Sequence, residues 1–345
     1  MSVTWVKKRL FLVTFILLIG AYFVFHLPQN TPSQQTVSHS VQSQVLGAQG
    51  NVALYTQPQS GSGFLIDAIE HAQKDVLVEV YLLSDKSIIS ALEQAKQRGL
   101  VVGVMLEQHP FGGGNLNQKT SQALKDNGVT VVWTNSAFAL THEKTVLIDD
   151  SEVFILSQNL TASAFNKNRE YDILDTNPTD VAEVKAILKA DWDRTSMTSL
   201  PSANLLVSPV NSRSMLEQLI TSATHSIAIE VEDINDSQIV NLLSQKAKTI
   251  SVSLLAPTLK QISSNKQSLE KLKAAGVDVR TESTPYIHAK LIIVDGEKAY
   301  VGSINLSTQS MDRNREVGIV LGEQDIVQSL QATYQQDFAK GNTLQ

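Results

Sequence analysis

The chain has 345 residues, of which 42% are hydrophobic and 18% charged, and its formal net charge is -6. This length and composition are typical of a globular protein of about two domains. The absence of cysteine excludes disulfides, thiolate nucleophiles and cysteine-based metal sites, and the seven histidines show no metal-ligand spacing. We therefore expect no built-in metal site, and nothing in the composition calls for another cofactor.

The N-terminal segment predicts a membrane anchor. Residues 10–27 form an almost wholly apolar run of 18 residues. They follow the basic N-terminus, residues 1–9, which ends in Lys7, Lys8 and Arg9. A helix of this length spans about 27 Å, close to the hydrocarbon core of about 30 Å. No Lys or Arg follows until Lys74, so the positive-inside rule predicts a cytoplasmic N-terminus and a body on the extracytoplasmic side of the cell membrane. The alternative is a cleaved signal peptide and a secreted protein.

Residues 28–50 contain no Asp, Glu, Lys or Arg and are rich in Gln, Ser and Thr, which is typical of a flexible stalk. Beyond residues 1–9 the chain holds 25 basic and 34 acidic residues. A body this acidic lacks the broad positive surface expected of a nucleic-acid-binding protein.

The rest of the chain predicts two halves with one plan, residues 51–195 and 204–345, joined by a Ser/Thr/Pro-rich connector. The first half shows, in order, a helix at 63–73, a strand at 76–83, a helix at 85–98, a strand at 100–106, a glycine-rich loop at 109–114, a helix ending at 124 and a strand near 128–131. The second half shows a helix at 214–221, a strand at 227–231, a helix at 237–247, a strand at 250–255, a helix ending at 272 and a strand near 276–279. This alternation indicates an α/β layer architecture.

Two segments 146 residues apart repeat one polar string: His142-x-Lys144-x4-Asp149 and His288-x-Lys290-x4-Asp295. The agreement continues at the same offset through Ser157 and Ser303, Asn159 and Asn305, Arg169 and Arg315, and Glu170 and Glu316. Hydrophobic periodicity would repeat only apolar positions. The repeat therefore predicts a composite site, built where two similar halves meet.

The residue types of this repeat point to an anionic ligand. Both aspartates end apolar runs, so the motifs are expected on strands, where residues i and i+2 face the same way. Each Lys then supplies a point charge, each Asn amide donates hydrogen bonds, and each His is available for chemistry. A phosphodiester fits such a site, because it needs neutralised oxygens, a nucleophile and an acid for the leaving alkoxide.

The doubled pattern resembles the signature of the phospholipase D superfamily, over nearly the whole chain after residue 50. The resemblance implies two similar α/β/α sandwich domains with mixed sheets, related by a pseudo-two-fold axis and here preceded by the transmembrane helix. It further implies a metal-independent, two-step phosphodiester transfer through a phosphohistidine, which water or an alcohol resolves.

The resemblance also implies a role for each repeated residue. The nucleophile and the acid/base are His142 and His288, and His142 is our working choice for the nucleophile. The phosphate-binding residues are Lys144, Lys290, Asn159 and Asn305, with Ser157 and Ser303 as weaker candidates. The carboxylates that orient the imidazoles are Glu170 and Glu316, and the catalytic motif is completed by Asp149 and Asp295, which are mostly structural in such families. From the residues themselves, Arg169 and Arg315 are expected to be salt-bridge partners.

One position departs from the pattern, because Leu156 stands where the second half has Gly302. Our leading interpretation is a phosphodiesterase or phosphatidyltransferase that acts on phospholipid head groups, by hydrolysis or by transfer. The alternatives are an endonuclease of the same superfamily and a catalytically weak protein that binds anionic lipid. The sequence does not decide the head group or the oligomeric state.

Overall fold

The computed structural model describes residues 46–49, 51–197 and 200–344, all of which belong to one compact unit. The predicted basic N-terminus and membrane anchor (residues 1–27) and most of the predicted stalk (residues 28–45) lie outside the described residues. Within the described ranges, no helix is both long enough and apolar enough to cross a bilayer.

The first half contains eight strands and five helices among the described residues. They are β1 (Leu46–Gln49), β2 (Val52–Gln57), α1 (Gly63–His71), β3 (Asp75–Val80), α2 (Lys86–Gln97), β4 (Val101–Leu106), α3 (Leu116–Asp126), β5 (Thr130–Trp133), β6 (Lys144–Ile148), β7 (Glu152–Leu156), α4 (Ala162–Lys167), β8 (Asn168–Asp175) and α5 (Pro178–Asp193).

The second half repeats the same succession. Its elements are β9 (Leu205–Ser208), α6 (Ser212–Ser222), β10 (Ser226–Val231), α7 (Ser237–Lys246), β11 (Ser251–Pro257), a 3-10 turn (Ser263–Asn265), α8 (Lys266–Ala274), β12 (Asp278–Glu282), β13 (Tyr286–Ile287), β14 (Lys290–Val294), β15 (Lys298–Gly302), α9 (Thr308–Asp312), β16 (Glu316–Leu321), α10 (Gln324–Lys340) and β17 (Asn342–Thr343).

Local sequence explains where these elements begin and end. Asp85 caps α2 by accepting hydrogen bonds from the amides of Ser87 at 2.9 Å and Ile88 at 3.1 Å. Asp236 caps the equivalent helix α7 in the same way. Gly99, the second residue after the end of α2, has a φ of +96°, a conformation that other residues adopt only with strain.

The two sheets share the order of seven equivalent strands. The first runs β1-β2-β8-β7-β6-β3-β4-β5, with β13 of the second half paired to β8, and the second runs β9-β16-β15-β14-β10-β11-β12-β17. Strands β1 and β17 are additional strands at opposite edges. In each, the central strand pairs in parallel with the strand that follows it and antiparallel with the strand of the polar motif. The structure therefore confirms two similar α/β halves with mixed sheets.

The end of the predicted stalk differs from expectation. Strand β1 pairs antiparallel with β2, so Leu46–Gln49 belong to the edge of the first sheet. The polar composition of residues 28–50 concealed this strand, because an edge strand gains its stability from backbone pairing as well as from apolar side chains.

Three hydrophobic cores hold the unit together. One outer core belongs to each half, and each includes its central strand and the first helices. The third core draws on both halves, for example Ile155 and Val184 from the first and Ile293 and Leu330 from the second. Because this shared core contains strands of both sheets together with α5 and α10, the halves fold as one body, and their facing strand ends meet at the repeated motifs.

Candidate active site

The motif histidines lie where the two halves cross. The amide of His142 donates to the carbonyl of Arg315 at 2.8 Å, and the amide of His288 donates to the carbonyl of Arg169 at 3.2 Å. Strands β6 and β14 begin only at the motif lysines. The sequence predicted that the histidines are on these strands. They lie just before them, because their backbones pair with the other half.

Each imidazole contacts a carboxylate of the other half. Nδ1 of His142 lies 3.0 Å from Glu316, and Nδ1 of His288 lies 2.7 Å from Glu170. Both carboxylates are fully buried. A carboxylate oxygen accepts a hydrogen bond, so Nδ1 carries the hydrogen and Nε2 is the atom available for chemistry. The sequence predicted an orienting role for these glutamates but not that the pairs would cross between halves.

Two further hydrogen bonds hold each of these carboxylates. Glu170 accepts from Ser157 at 2.6 Å and Asn168 at 3.1 Å, and Glu316 accepts from Ser310 and from Asn314 at 3.1 Å. Asn168 and Asn314 were not among the predicted site residues. The signal was present, since Asn-Arg-Glu occurs at the same offset in both halves.

The charges of the site favour ionised carboxylates. Burial opposes ionisation of Glu316, but the nearby His142 and Lys144 outweigh it and hold the pKa of Glu316 at about 2. Glu170 likewise has a lowered pKa, because His288 offsets the effect of its burial. For His142, burial is the largest effect and lowers the pKa of the imidazole, while Glu316 acts in the opposite direction. His142 is therefore largely neutral at neutral pH.

The motif lysines are buried beside the histidines. Nζ of Lys144 donates to the carbonyl of His142 and lies 5.5 Å from the ring centre of Tyr81. Nζ of Lys290 donates to the carbonyl of His288 at 2.6 Å. Burial, partly opposed by Glu316, lowers the pKa of Lys144 to about 7, and the positive charge of Lys290 contributes to that fall. The lysines of the two halves are thus close enough to interact, as a composite site requires.

The asparagine side chains remain available to a ligand. Oδ1 of Asn159 and Oδ1 of Asn305 are buried and make no hydrogen bond within the described residues. Because Oδ1 is an acceptor, a phosphate oxygen would be bound through the Nδ2 amide of each side chain. In contrast, Ser303 uses its hydroxyl on the backbone of Val317, at 3.1 and 3.2 Å. Ser157 is engaged in the same way, with Glu170 and a strand amide. The contacts of both serines are structural, and their role in phosphate binding stays a prediction.

The motif aspartates lie at the far ends of the motif strands. Asp149 accepts the amides of residues 73–75, and Asp295 accepts those of residues 224–226. Strand β6 has five residues, from Lys144 to Ile148, which puts Asp149 about 16 Å from the motif lysine. Both aspartates hold the neighbouring loop in place, and their part in the catalytic motif stays a prediction.

The repeated arginines form ion pairs between the halves, as predicted. Arg315 binds Asp191 of α5 through two nitrogens at 2.8 and 2.9 Å. Arg169 binds Asp337 of α10 and the carbonyl of Gln57. These pairs lie between the sheets and fix how the two halves sit against each other.

The carboxylates of one buried cluster are close enough to one another to share a cation. Glu79, Glu143 and Asp191 lie together and are buried, with Arg315 on Asp191. Burial raises the pKa of Glu143 to about 8, with the charge of Asp191 acting in the same direction. Burial also raises the pKa of Glu79. Protons therefore keep this cluster close to neutral, and Glu143 faces away from its neighbours His142 and Lys144 because side chains alternate along the chain.

Three residues of the site are not repeated as the same residue type in the other half, so a search for identical residues could not find them. The ring of Tyr81 packs against His142, with ring centres 4.8 Å apart. Glu232 lies 3.0 Å from Lys290 and 3.3 Å from Nε2 of His288. The hydroxyl of Tyr286 donates to Glu232 at 2.9 Å.

The fold and site define a class of protein: two similar α/β halves whose His-Lys sets meet at the junction, as in the phospholipase D superfamily. A family profile described as "Cardiolipin synthase, PLD-like domain" matches residues 65–192 and 216–338, which is more than half of the chain. The chain belongs to this family.

Individual relatives agree with this assignment. Phospholipase D of Rickettsia prowazekii is 31% identical over 121 residues, which cover 35% of this chain and 57% of that protein. Cardiolipin synthase 1 of Bacillus anthracis is 21% identical over 323 residues, which cover 79% of this chain and 64% of that protein. In both comparisons the match spans less than two thirds of the relative's own length.

Solved structures share the fold. Phosphatidylserine synthase from Haemophilus influenzae superposes with a TM-score of 0.62 at 13% identity, covering 85% of this chain and 87% of that chain. Polyphosphate kinase from Porphyromonas gingivalis superposes with a TM-score of 0.64 at 15% identity, covering 82% of this chain and 50% of that chain. At these identities the likeness concerns the fold alone.

Proposed function

We propose that the protein is a phosphodiesterase or phosphatidyltransferase that acts on phospholipid head groups through a phosphohistidine. The observation that carries the proposal is the crossed pairing of His142 with Glu316 and of His288 with Glu170. Each pairing holds the proton on Nδ1, so two Nε2 atoms are left to act on one phosphorus between the buried lysines.

The proposed reaction has two steps. Nε2 of one imidazole attacks phosphorus, the bond to the leaving oxygen breaks, and the other imidazole gives that oxygen its proton. The oxygen of water or of an alcohol then attacks phosphorus, the P–N bond of the phosphohistidine breaks, and the second imidazole takes the proton of the attacking hydroxyl. The non-bridging oxygens are bound by Lys144, Lys290, Asn159 and Asn305.

Two features support a lipid substrate. Relatives of this chain carry the names phospholipase D and cardiolipin synthase. The predicted anchor at residues 10–27 would hold the site beside the cell membrane, with the body on the extracytoplasmic side. The acidic body disfavours the nuclease alternative, because the phosphate backbone of nucleic acid is bound through positive charge.

The test uses the full-length chain in detergent with vesicles of phosphatidylcholine or phosphatidylglycerol, with and without ethanol. We expect release of the head group, and in ethanol either the same hydrolysis product or the phosphatidylethanol that marks transfer. Chromatography of the products distinguishes the two reactions. Cleavage of a single-stranded DNA oligonucleotide without any lipid product would replace this proposal by the nuclease.

Single histidine variants test the mechanism. His142→Ala and His288→Ala should each reduce head-group release by about 10²-fold or more. His225→Ala is the matched control, since the side chain of His225 is 84% exposed at the opposite end of the motif strand. Unchanged turnover in both motif variants would contradict the proposed chemistry.

A further inference from the structure

The two catalytic sets differ at one equivalent position. Tyr81 and Glu232 are each the first residue after the central strand of their half. The amide of Tyr81 donates to the carbonyl of Glu143 at 3.2 Å, and the amide of Glu232 donates to that of Ala289 at 3.0 Å. Glu143 and Ala289 are the middle residues of the two His-x-Lys motifs. An aromatic ring in one half thus replaces a carboxylate in the other.

Glu232 gives His288 a second acidic partner. Its Oε2 lies 3.3 Å from Nε2 of His288, while Glu170 lies 2.7 Å from Nδ1 of the same ring. Both nitrogens of His288 therefore face a carboxylate. Only the imidazolium has a hydrogen on each nitrogen, so only that form can donate to both carboxylates at once.

His142 has a different environment. Glu316 contacts its Nδ1, and the ring of Tyr81 packs against it at an angle of 67°. Among the described residues, Glu316 is the only carboxylate in ion-pair contact with His142. The ring of His142 is also adjacent to the ammonium of Lys144, which disfavours a second positive charge on the imidazole.

We propose that Glu232 makes the two histidines unequal, by holding the proton on His288 as the general acid and leaving His142 as the nucleophile. The inference rests on the proposed phosphohistidine chemistry and deepens it. Glu232 acts through His288 and is a positioning residue.

The groups that face His288 support this assignment. They are Glu170 of β8, Glu232 after β10, Lys290 of β14 and Tyr286 of β13. Two carboxylates against one ammonium leave a net negative charge around the ring. In the first step Nε2 of His142 gives its lone pair to phosphorus, the P–O bond breaks, and the proton of His288 passes to the leaving oxygen. In the second step the oxygen of water or of the acceptor alcohol attacks phosphorus, the P–N bond to His142 breaks, and His288 takes the proton of the attacking hydroxyl.

Glu232 also opposes substrate binding. Its carboxylate lies 3.0 Å from Nζ of Lys290, a predicted ligand of the phosphate oxygens. A phosphate that approaches Lys290 meets this negative charge, so the carboxylate weakens binding while it favours the acid form of His288. Weaker binding raises KM, whereas the acid form of His288 raises kcat, so the two effects can be measured separately.

The first experiment traps the intermediate with bis(p-nitrophenyl) phosphate, whose leaving group departs without protonation. The sample is kept away from acid, and its peptides are analysed by mass spectrometry. We expect His288→Ala to form phosphohistidine at His142, within about tenfold of the wild-type rate. His142→Ala should form none. The opposite result, a phosphate on His288 that persists in His142→Ala, would overturn the assignment.

The second experiment compares Glu232→Gln with wild type on phosphatidylcholine in detergent, whose alkoxide leaving group needs a proton from the acid. Loss of the carboxylate should lower kcat by about tenfold and also lower KM several-fold. Glu232→Asp should restore part of kcat, and Glu270→Gln on the exposed face of α8 should change neither value. An unchanged kcat would overturn the role of Glu232.

These outcomes are separable from failure of the proposed function. If wild type neither turns over the diester nor forms a phosphoenzyme, the phosphohistidine chemistry itself fails, and this inference fails with it. If wild type is active and only the roles of the histidines are exchanged, the proposed function stands and this inference falls.

Discussion

Glu170 and Glu316 show how much a single buried carboxylate decides in this protein. Each carboxylate is fully buried and accepts a hydrogen bond from a histidine of the other half. An ionised group in such a place is stable only because several donors surround it. The same donors fix the position and the tautomer of the imidazole, so a change at either glutamate should act on a histidine that is remote in sequence.

Glu316→Gln tests this dependence. The amide keeps the shape but removes the charge opposite Nδ1 of His142, so we expect turnover of a soluble phosphodiester to fall by about 10²-fold. Glu316 raises the pKa of His142 against the effect of burial. Its removal lowers that pKa, and because attack needs the neutral ring, the low-pH limb of the rate profile should move to lower pH. A limb that moves to higher pH would contradict this electrostatic picture.

Lys144→Met separates stability from function. Burial lowers the pKa of Lys144 to about 7, so between that value and its ordinary pKa the unfolded chain binds more protons than the folded protein. Stability therefore rises with pH across this window, and the buried charge costs most below it. At pH 6 we expect the variant to be more stable by about 1–3 kcal/mol in urea unfolding and to be inactive. A less stable variant at pH 6 would show that the ammonium is a net stabilising group.

At the scale of elements, sequence patterns predict the polar strands least well. Strand β8 carries Arg169 and Glu170 among buried residues, and β16 begins with Glu316. These charges are buried because the opposite half supplies their partners. Apolar alternation is the signal for a strand, so strands with buried ion pairs are missed while α2, β4 and α7 are predicted nearly to the residue.

The departure at Leu156 is also explained at this scale. Leu156 pairs with Asp172 in the sheet and is fully buried in the outer core of the first half. In the second half Gly302 pairs with Gly318. A Cβ on Gly302 would lie 2.3 Å from the Cα of Gly318, so the two backbones are too close for any side chain there. Leu156 fills apolar space where the neighbouring strand has no such requirement.

Gly302→Ala should therefore destabilise the protein. The added carbon meets backbone that cannot rotate away, and we expect a loss of about 1–3 kcal/mol in urea unfolding. Gly322→Ala is the matched control, because nothing lies within 4 Å of a Cβ at that position. Equal stability of the two variants would mean that β15 and β16 move apart at little cost.

At the scale of the whole molecule, the halves form one body. Their shared core includes strands of both sheets, and the ion pairs of Arg169 with Asp337 and of Arg315 with Asp191 cross between them. The duplicated plan thus places two similar α/β halves in one compact unit.

Unfolding measurements test this unity. Beyond residue 10 the tryptophans are Trp133 and Trp192, both in the first half, whereas far-UV circular dichroism follows both halves. We expect the two signals to change together in urea. Arg315→Met should shift both by about 3–5 kcal/mol, because it leaves buried carboxylates without their cation. Lys189→Met, which removes an exposed ion pair, should change little. Two separate transitions would show that the halves fold independently.

The sequence by itself determined the duplication, the α/β class and the set of repeated residues, because these depend on periodicity and on offsets along one chain. Only the tertiary structure decided that each glutamate serves the opposite histidine and that the motif aspartates lie at the far strand ends. It also decided that Tyr81 and Glu232 make the two sets unequal. Such features follow from contacts between the halves, and residue spacing within one half contains no information about the surface that the other half brings to it.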